Sequence, residues 1–291
     1  MPELPEVETI ARDLNAAGVV GKTLTCARVY WDRTIAEPSV PEFCRLIEKK
    51  QIAAVGRRGK FLVIDLTGGG HLLMHLRMSG RLHLVPSGTQ LLPHEHMVLA
   101  FEDGSELRFH DTRKFGRVYF IADAERILGR LGPEPLDSGF TPRVLFEGMR
   151  TRSRLVKPLL LDQGFVAGLG NIYTDEALWE AQIHPLRRSN TLSQGETKAL
   201  HAAIQRVLRR GLKNLGTSLG TGKANFYSVG RRRGRNRDAL KVFRRTGEPC
   251  PRCDAPVQRI IVGQRSTHIC PKCQVIKGFK GSRGRGVKLD K

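Results

Sequence analysis

The sequence predicts an α+β protein with a β-rich N-terminal half flanked by helices, a helical C-terminal half and a small four-cysteine hairpin. Three observations carry this. Residues 22–121 read mainly as short strands between turn residues, the apolar period beyond residue 140 becomes helical, and Cys250, Cys253, Cys270 and Cys273 form two Cys-x-x-Cys pairs.

The first element is a helix. Pro5 and the acids Glu3, Glu6 and Glu8 suit a first helical turn, and Val7, Ile10, Ala11 and Leu14 share one face that runs out near Gly18. Strands follow at Lys60 to Leu66, His71 to Arg77, Met97 to Glu102, Glu106 to His110 and Gly116 to Ile121, with turns at Gly68-Gly69-Gly70 and Asp103-Gly104. A helix around Glu42 to Lys49 interrupts them, so this half should be a β-sandwich or barrel. The Pro- and Gly-rich stretch Leu131 to Gly139 marks a boundary. Domains are expected at residues 1–131 and 141–238, a zinc finger at 239–274, a linker at 132–140 and a basic tail at 275–291. Leu200, Ile204, Val207, Leu208 and Leu212 line one face of a helix that Ser193 and Glu196 can start as a capping box. From Gly216 to Arg237 the periodicity fails among many Gly and Arg residues, which reads as a mobile loop.

Composition bounds the function. The chain has 291 residues, 40% of them hydrophobic, enough to bury a substantial core. It has no apolar run of spanning length, and acids appear within three residues of the start, so no membrane partner and a cytoplasmic location are expected. Lys and Arg number 49 against 28 Asp and Glu, a net charge of +21 that attracts polyanions. On charge alone, RNA and anionic headgroups fit as well as DNA does.

Sixteen residues separate the two Cys-x-x-Cys pairs, with alternating Val257, Arg259 and Ile261 and a turn at Gly263-Gln264. Four thiolates delivered by two tight turns supply the closed tetrahedral set of one structural zinc. Such a site has no position left for water, so the metal holds the hairpin and performs no chemistry. Arg259 and Arg265, framed by Arg252 and Lys272, can reach phosphates from this ribbon. Cys26 and Cys44 stand apart as expected buried residues.

Pro2 is small enough to follow a removable Met1, which would leave a secondary amine beside Glu3 and Glu6. With an α-amino pKa of about 8 against about 10.4 for lysine, roughly a few hundred times more of it is neutral and nucleophilic at pH 7. The same residues also suit a frayed terminus with helix-start chemistry.

The run Pro2-Glu3-Leu4-Pro5-Glu6-Val7-Glu8 resembles the start of the formamidopyrimidine-DNA glycosylase (Fpg) family. Leu161 to Tyr173 is similar to its helix-two-turn-helix element, and the cysteine hairpin to its C-terminal zinc finger; the likeness covers about residues 1–274. It implies a bifunctional DNA glycosylase and AP lyase of base excision repair. Such an enzyme removes oxidised purines, formamidopyrimidines and 8-oxoguanine, from duplex DNA held between its two halves, then cleaves the strand by β,δ-elimination. By resemblance Pro2 is the nucleophile, Glu3 the general acid and Glu6 the organiser of the site. Lys60 contacts the sugar-phosphate and assists elimination, and Arg265 grips phosphate and takes part in the second elimination. His75, Met78, His94, Arg113, Phe115, Lys157, Asn171 and Arg259 are the implied DNA contacts, with Met78, Arg113 and Phe115 filling the space of an extruded base.

Taken without the resemblance, Lys60 reads as a surface lysine, Met78 as core, Asn171 as a helix cap, and His94 with His96 as half a metal site. Two departures stand out: the loop over the extruded base reads Lys223-Ala224-Asn225-Phe226-Tyr227-Ser228, and the tail runs past the family's usual end. The alternatives are an endonuclease VIII-like glycosylase for oxidised pyrimidines, against which Leu4 argues, and a non-catalytic zinc-ribbon protein that binds nucleic acid by charge. A monomer suffices for the enzyme reading.

Overall fold

The structure, a computed structural model, describes residues 2–220, 226–230 and 232–276. The loop residues Lys223, Ala224 and Asn225 and the tail beyond residue 276 lie outside them. The chain divides into two units: residues 1–130 with 211–237, and residues 131–210 with 238 onward.

The first unit opens with helix α1 (Leu4–Ala16), which buries Leu4, Val7, Ile10 and Leu14. Nine strands and two helices follow: β1 (Leu24–Val29), β2 (Ile35–Glu37), α2 (Val40–Ile47), β3 (Ile52–Arg58), β4 (Phe61–Leu66), β5 (His71–His75), β6 (Gly80–Pro86), β7 (Glu95–Phe101), β8 (Ser105–Asp111), β9 (Arg117–Ile121) and α3 (Glu125–Leu128). They form a four-stranded sheet, β1-β7-β8-β6, and a five-stranded one, β2-β9-β5-β4-β3, in which only the β2–β9 pairing is parallel. Alternation along the strands sends Leu62, Ile64, Leu72 and Met74 from one sheet, and Leu82, Leu99, Leu107 and Phe109 from the other, into one core shared with α1. Each such buried side chain contributes roughly 2 kcal/mol. This is a sandwich. Helix α2 starts two residues before the expected Glu42, because Pro41 suits a first turn. Cys26 and Cys44 are half-buried, not buried.

The described part of the Gly- and Arg-rich run is packed, where the sequence reads as a mobile loop. Phe226 and Val229 join the core, Arg232 pairs with buried Asp13, and the guanidiniums of Arg81 and Arg233 lie 5.1 and 5.6 Å from the Tyr227 ring centre. Isolated apolar residues between glycines and arginines give no periodic signal, and the partners are far away in sequence.

The second unit is helical: α4 (Pro142–Arg150), α5 (Val156–Leu161), α6 (Asn171–Glu180) and most of α7 (Gln194–Lys213), with the hairpin β10 (Gln258–Val262) and β11 (Arg265–Ile269). Ser193 and Glu196 close the expected capping box at α7, through Glu196 N–H to Ser193 Oγ at 3.2 Å and Ser193 N–H to Glu196 Oε2 at 2.9 Å. The cap of α6 is Gly170, so Asn171 is the first helical residue rather than the cap. Glu176 accepts backbone N–H bonds from Lys241, Val242 and Phe243, which fastens the approach to the hairpin onto α6. Among the described residues no helix is long and apolar enough to cross a membrane.

Candidate functional site

The expected site residues fall into two sets, one in each unit. In the first unit Pro2 is buried, and Glu3 and Glu6 close a capping box at the start of α1. Glu3 N–H donates to Glu6 Oε2 at 2.8 Å, while Glu6 Oε1 accepts from Thr217 N–H at 2.7 Å. One buried carboxylate thus fixes the turn that carries Pro2 and Glu3. Lys60, also buried, follows Gly59, whose φ of +55° makes the tight turn into β4.

His75, at the end of β5, accepts Arg77 N–H at Nδ1 (3.0 Å) and meets Phe61 edge-on at 4.8 Å. Burial, then the charges of Arg77 and Lys60, hold its imidazole down at about 3. It is neutral at pH 7, so it can offer a phosphate a hydrogen bond but no charge.

Met78, His94, Arg113 and Phe115 stand exposed on three loops at the ends of the sheets, and the Arg113 guanidinium lies 5.0 Å from the Phe115 ring centre. A solvated methionine and phenylalanine, 42% and 47% exposed, beside a guanidinium offer an apolar wedge and hydrogen-bond donors together. His96 Nε2 donates to Asp111 O at 2.8 Å. The four cysteines form the only metal-competent cluster of three or more His, Cys, Asp or Glu among the described residues, so the idea of a metal at His94 and His96 gains no support.

In the second unit Arg259 and Arg265 are exposed on the hairpin, whose turn residues Gly263 (φ +55°) and Gln264 (φ +61°) suit a two-residue connection. Lys157 is buried. Its side chain has no exposure, and Nζ bonds Asp175 Oδ1 (2.6 Å), Ser266 O (3.0 Å) and Thr267 Oγ1 (2.7 Å). Asn171 Nδ2 donates to the same Ser266 O at 2.8 Å. Both residues therefore hold the strand that begins with Arg265, and the ammonium of Lys157 faces protein rather than solvent.

The sulfurs of Cys250, Cys253, Cys270 and Cys273 all lie within 4.8 Å of one another. Trp179 Nε1–H donates to Cys250 Sγ at 3.4 Å, and Cys273 N–H to Cys270 Sγ at 3.3 Å. Burial and then the neighbouring sulfurs push the Cys273 thiol up to about 12, so four thiolates together need a compensating cation.

The sequence matches the family model of the formamidopyrimidine-DNA glycosylase N-terminal domain over residues 1–118, that of its H2TH domain over 131–222, and the zinc finger found in FPG and IleRS over 247–275. A formamidopyrimidine-DNA glycosylase of Protochlamydia amoebophila is 47% identical over 274 residues, covering 94% of this chain and 99% of that protein. The chain belongs to the formamidopyrimidine-DNA glycosylase family. A Chloroflexus aggregans member is 46% identical, over 95% of this chain and 99% of its own length. The structure is similar to a Lactococcus lactis FPG mutant in complex with Fapy-dG-containing DNA (TM-score 0.87, 35% identity, 94% of this chain and 99% of that one). It is also similar to MutM (FPG) of Thermus thermophilus (TM-score 0.84, 37% identity, 94% and 98%).

The family's zinc fits the residues present. Zn–S bonds of about 2.3 Å in a tetrahedron require sulfurs about 3.8 Å apart, and the contacts here of 3.4 Å (Cys253–Cys270) and 3.9 Å (Cys250–Cys273) bracket that spacing. The cluster is a structural zinc site.

Sequence reasoning missed Thr217, Asp111, Trp179 and Asp175 as supports of these residues. Of the four, only Asp111 carried a local signal, an aspartate two residues before Arg113 that can form an Asx turn.

Proposed function

We infer that the protein is a formamidopyrimidine-DNA glycosylase that excises oxidised purines from duplex DNA and then nicks the strand as an AP lyase. The single observation that carries the reading is the fixed turn at the start of α1, where Glu6 ties Glu3 and Thr217 together beside Pro2. Relatives solved with Fapy-dG and abasic-site DNA support the substrate class.

With Met1 removed, the Pro2 nitrogen attacks C1′ of the damaged nucleotide, and the bond from C1′ to the base breaks with its electrons leaving on the base. The Pro2 N–H proton passes to the departing base, Glu3 donates the proton that opens the sugar ring, and ring opening leaves an iminium cation between Pro2 and C1′. That cation accepts the electrons released when the C2′ proton is removed, so the 3′ phosphate departs, and the 5′ phosphate follows in a second elimination. Lys60 lies in reach of this chemistry by resemblance, and Arg265 and Arg259 bind phosphate. Zinc supplies only the fold of the hairpin. The partner is DNA with oxidised bases or abasic sites, the enzyme works as a monomer, and its location is cytoplasmic.

The test is borohydride trapping on a duplex with an abasic site, followed by mass spectrometry. Sugar attached to Pro2 supports the reading. Attachment elsewhere, or no adduct, overturns it, and faster excision of oxidised pyrimidines than of formamidopyrimidines would favour an endonuclease VIII-like activity.

A further inference from the structure

One buried aspartate joins the three loops that carry Met78, His94, Arg113 and Phe115, two of them through its carboxylate and the His94 loop through its backbone. Asp111 is 1% exposed. Its Oδ1 accepts from Ser79 Oγ–H and from Arg113 N–H (3.1 Å), and its Oδ2 accepts from Gly116 N–H (2.7 Å). Its backbone N–H donates to His94 O at 2.9 Å, and its carbonyl accepts from His96 Nε2 at 2.8 Å. The Ser79 hydroxyl also accepts from Arg113 N–H at 3.2 Å, so two loops share one hydrogen-bonded knot.

The backbone around this knot is strained. Arg77, His94 and Lys114, one in each loop, sit at φ of +52°, +70° and +60°. Side chains other than glycine persist there only where surrounding bonds hold them, at a cost of order 1 kcal/mol each. Space is equally fixed, since a Cβ on Gly116 would lie 2.4 Å from the Phe109 ring and 3.1 Å from Asp111 Oδ2.

We propose that Asp111 is the positioning residue of the wedge: it touches no substrate and sets the loops so that Met78, Arg113 and Phe115 enter the duplex as one rigid unit. The proposal rests on the glycosylase reading above. Hydrogen-bond polarity supplies the sharp variant. In Asp111→Asn the side chain keeps its shape, yet its NH2 group must replace either the oxygen that accepts from Gly116 N–H or the one that accepts from Ser79 Oγ–H and Arg113 N–H, so the knot loses at least one accepted bond in either orientation.

The experiment compares wild type and Asp111→Asn on a formamidopyrimidine duplex with 2-aminopurine beside the lesion, and on a single-stranded abasic oligonucleotide, which has no partner strand to prop open. Expected are a loss of excision on the order of 100-fold and an equal slowing of the 2-aminopurine signal on the duplex, with single-strand borohydride trapping changed by less than about threefold. Equal losses on both substrates, or an unchanged 2-aminopurine signal, overturn the proposal. If wild type itself traps no abasic DNA, the glycosylase reading has failed instead. Should Asp111→Asn not fold, Ser79→Ala removes the two bonds that Ser79 Oγ makes in the knot and must show the same split between substrates.

Discussion

Glu6 and Thr217, 211 positions apart, meet through a 2.7 Å bond from the Thr217 N–H to the Glu6 carboxylate. Gly216 makes this approach possible. Its φ is +82°, and a Cβ there would stand 2.9 Å from Glu6 Oε1. Gly216→Ala should therefore lower unfolding stability by about 1–3 kcal/mol, read from denaturant midpoints, and slow imine trapping. Glu6→Gln should keep the fold but turn an NH2 group toward either Glu3 N–H or Thr217 N–H, with a loss of excision on the order of 100-fold. Wild-type excision by Glu6→Gln would show that the bridge is dispensable.

Zinc removal has a local reporter. Trp179 bonds Cys250 and packs with Val242 and Val257 around the cysteines, while Trp31, the other tryptophan, lies in the first unit. Chelation should change Trp179 emission, abolish DNA binding and leave the sandwich folded, since so short a hairpin has little core without its metal. Comparison with Trp179→Phe isolates the reporter. Tight DNA binding by metal-free protein would remove the hairpin from the binding surface.

Stability should fall with acid. The folded His75 is held at about 3 by burial and by the Arg77 and Lys60 charges, against about 6.5 when unfolded. Between those values the unfolded chain binds the extra proton. The contribution is therefore fully present above about pH 6.5 and is lost as pH falls toward 3, by about 2 kcal/mol between pH 7 and pH 5. Urea unfolding of wild type and His75→Gln at the two pH values checks this; equal slopes would show that His75 is not the group responsible.

Legibility in the sequence followed locality. Helix α1 could be read because its apolar residues repeat at helical spacing, and the zinc ligands because two short pairs announce themselves. Thr217 could not be read, since it acts through a backbone N–H that almost any residue offers. Tyr227 and Arg232 looked like part of a loose basic run because Arg81 and Asp13, their partners, lie more than a hundred residues away. For Lys157, the family resemblance supplied a residue of interest but no burial, and burial decides what an ammonium can touch.

Lys157 yields the last prediction. Lys157 and Asp175 are both fully buried, and Asp175 also accepts from His268 N–H at 2.9 Å. Removing one partner of such a pair leaves an uncompensated charge, so Lys157→Met should cost about 3–5 kcal/mol, part of which Lys157→Met with Asp175→Leu should recover. Its effect on DNA binding should differ in kind from that of Arg259→Ala. Each lost phosphate contact lowers the slope of log affinity against log salt by roughly one. Arg259→Ala should reduce that slope, whereas Lys157→Met, acting through the placement of Ser266 and Arg265, should weaken binding by less than about tenfold and leave the slope near wild type at temperatures where the variant is folded. A slope reduced by a full unit in Lys157→Met would mean that the ammonium leaves its buried partners to meet a phosphate.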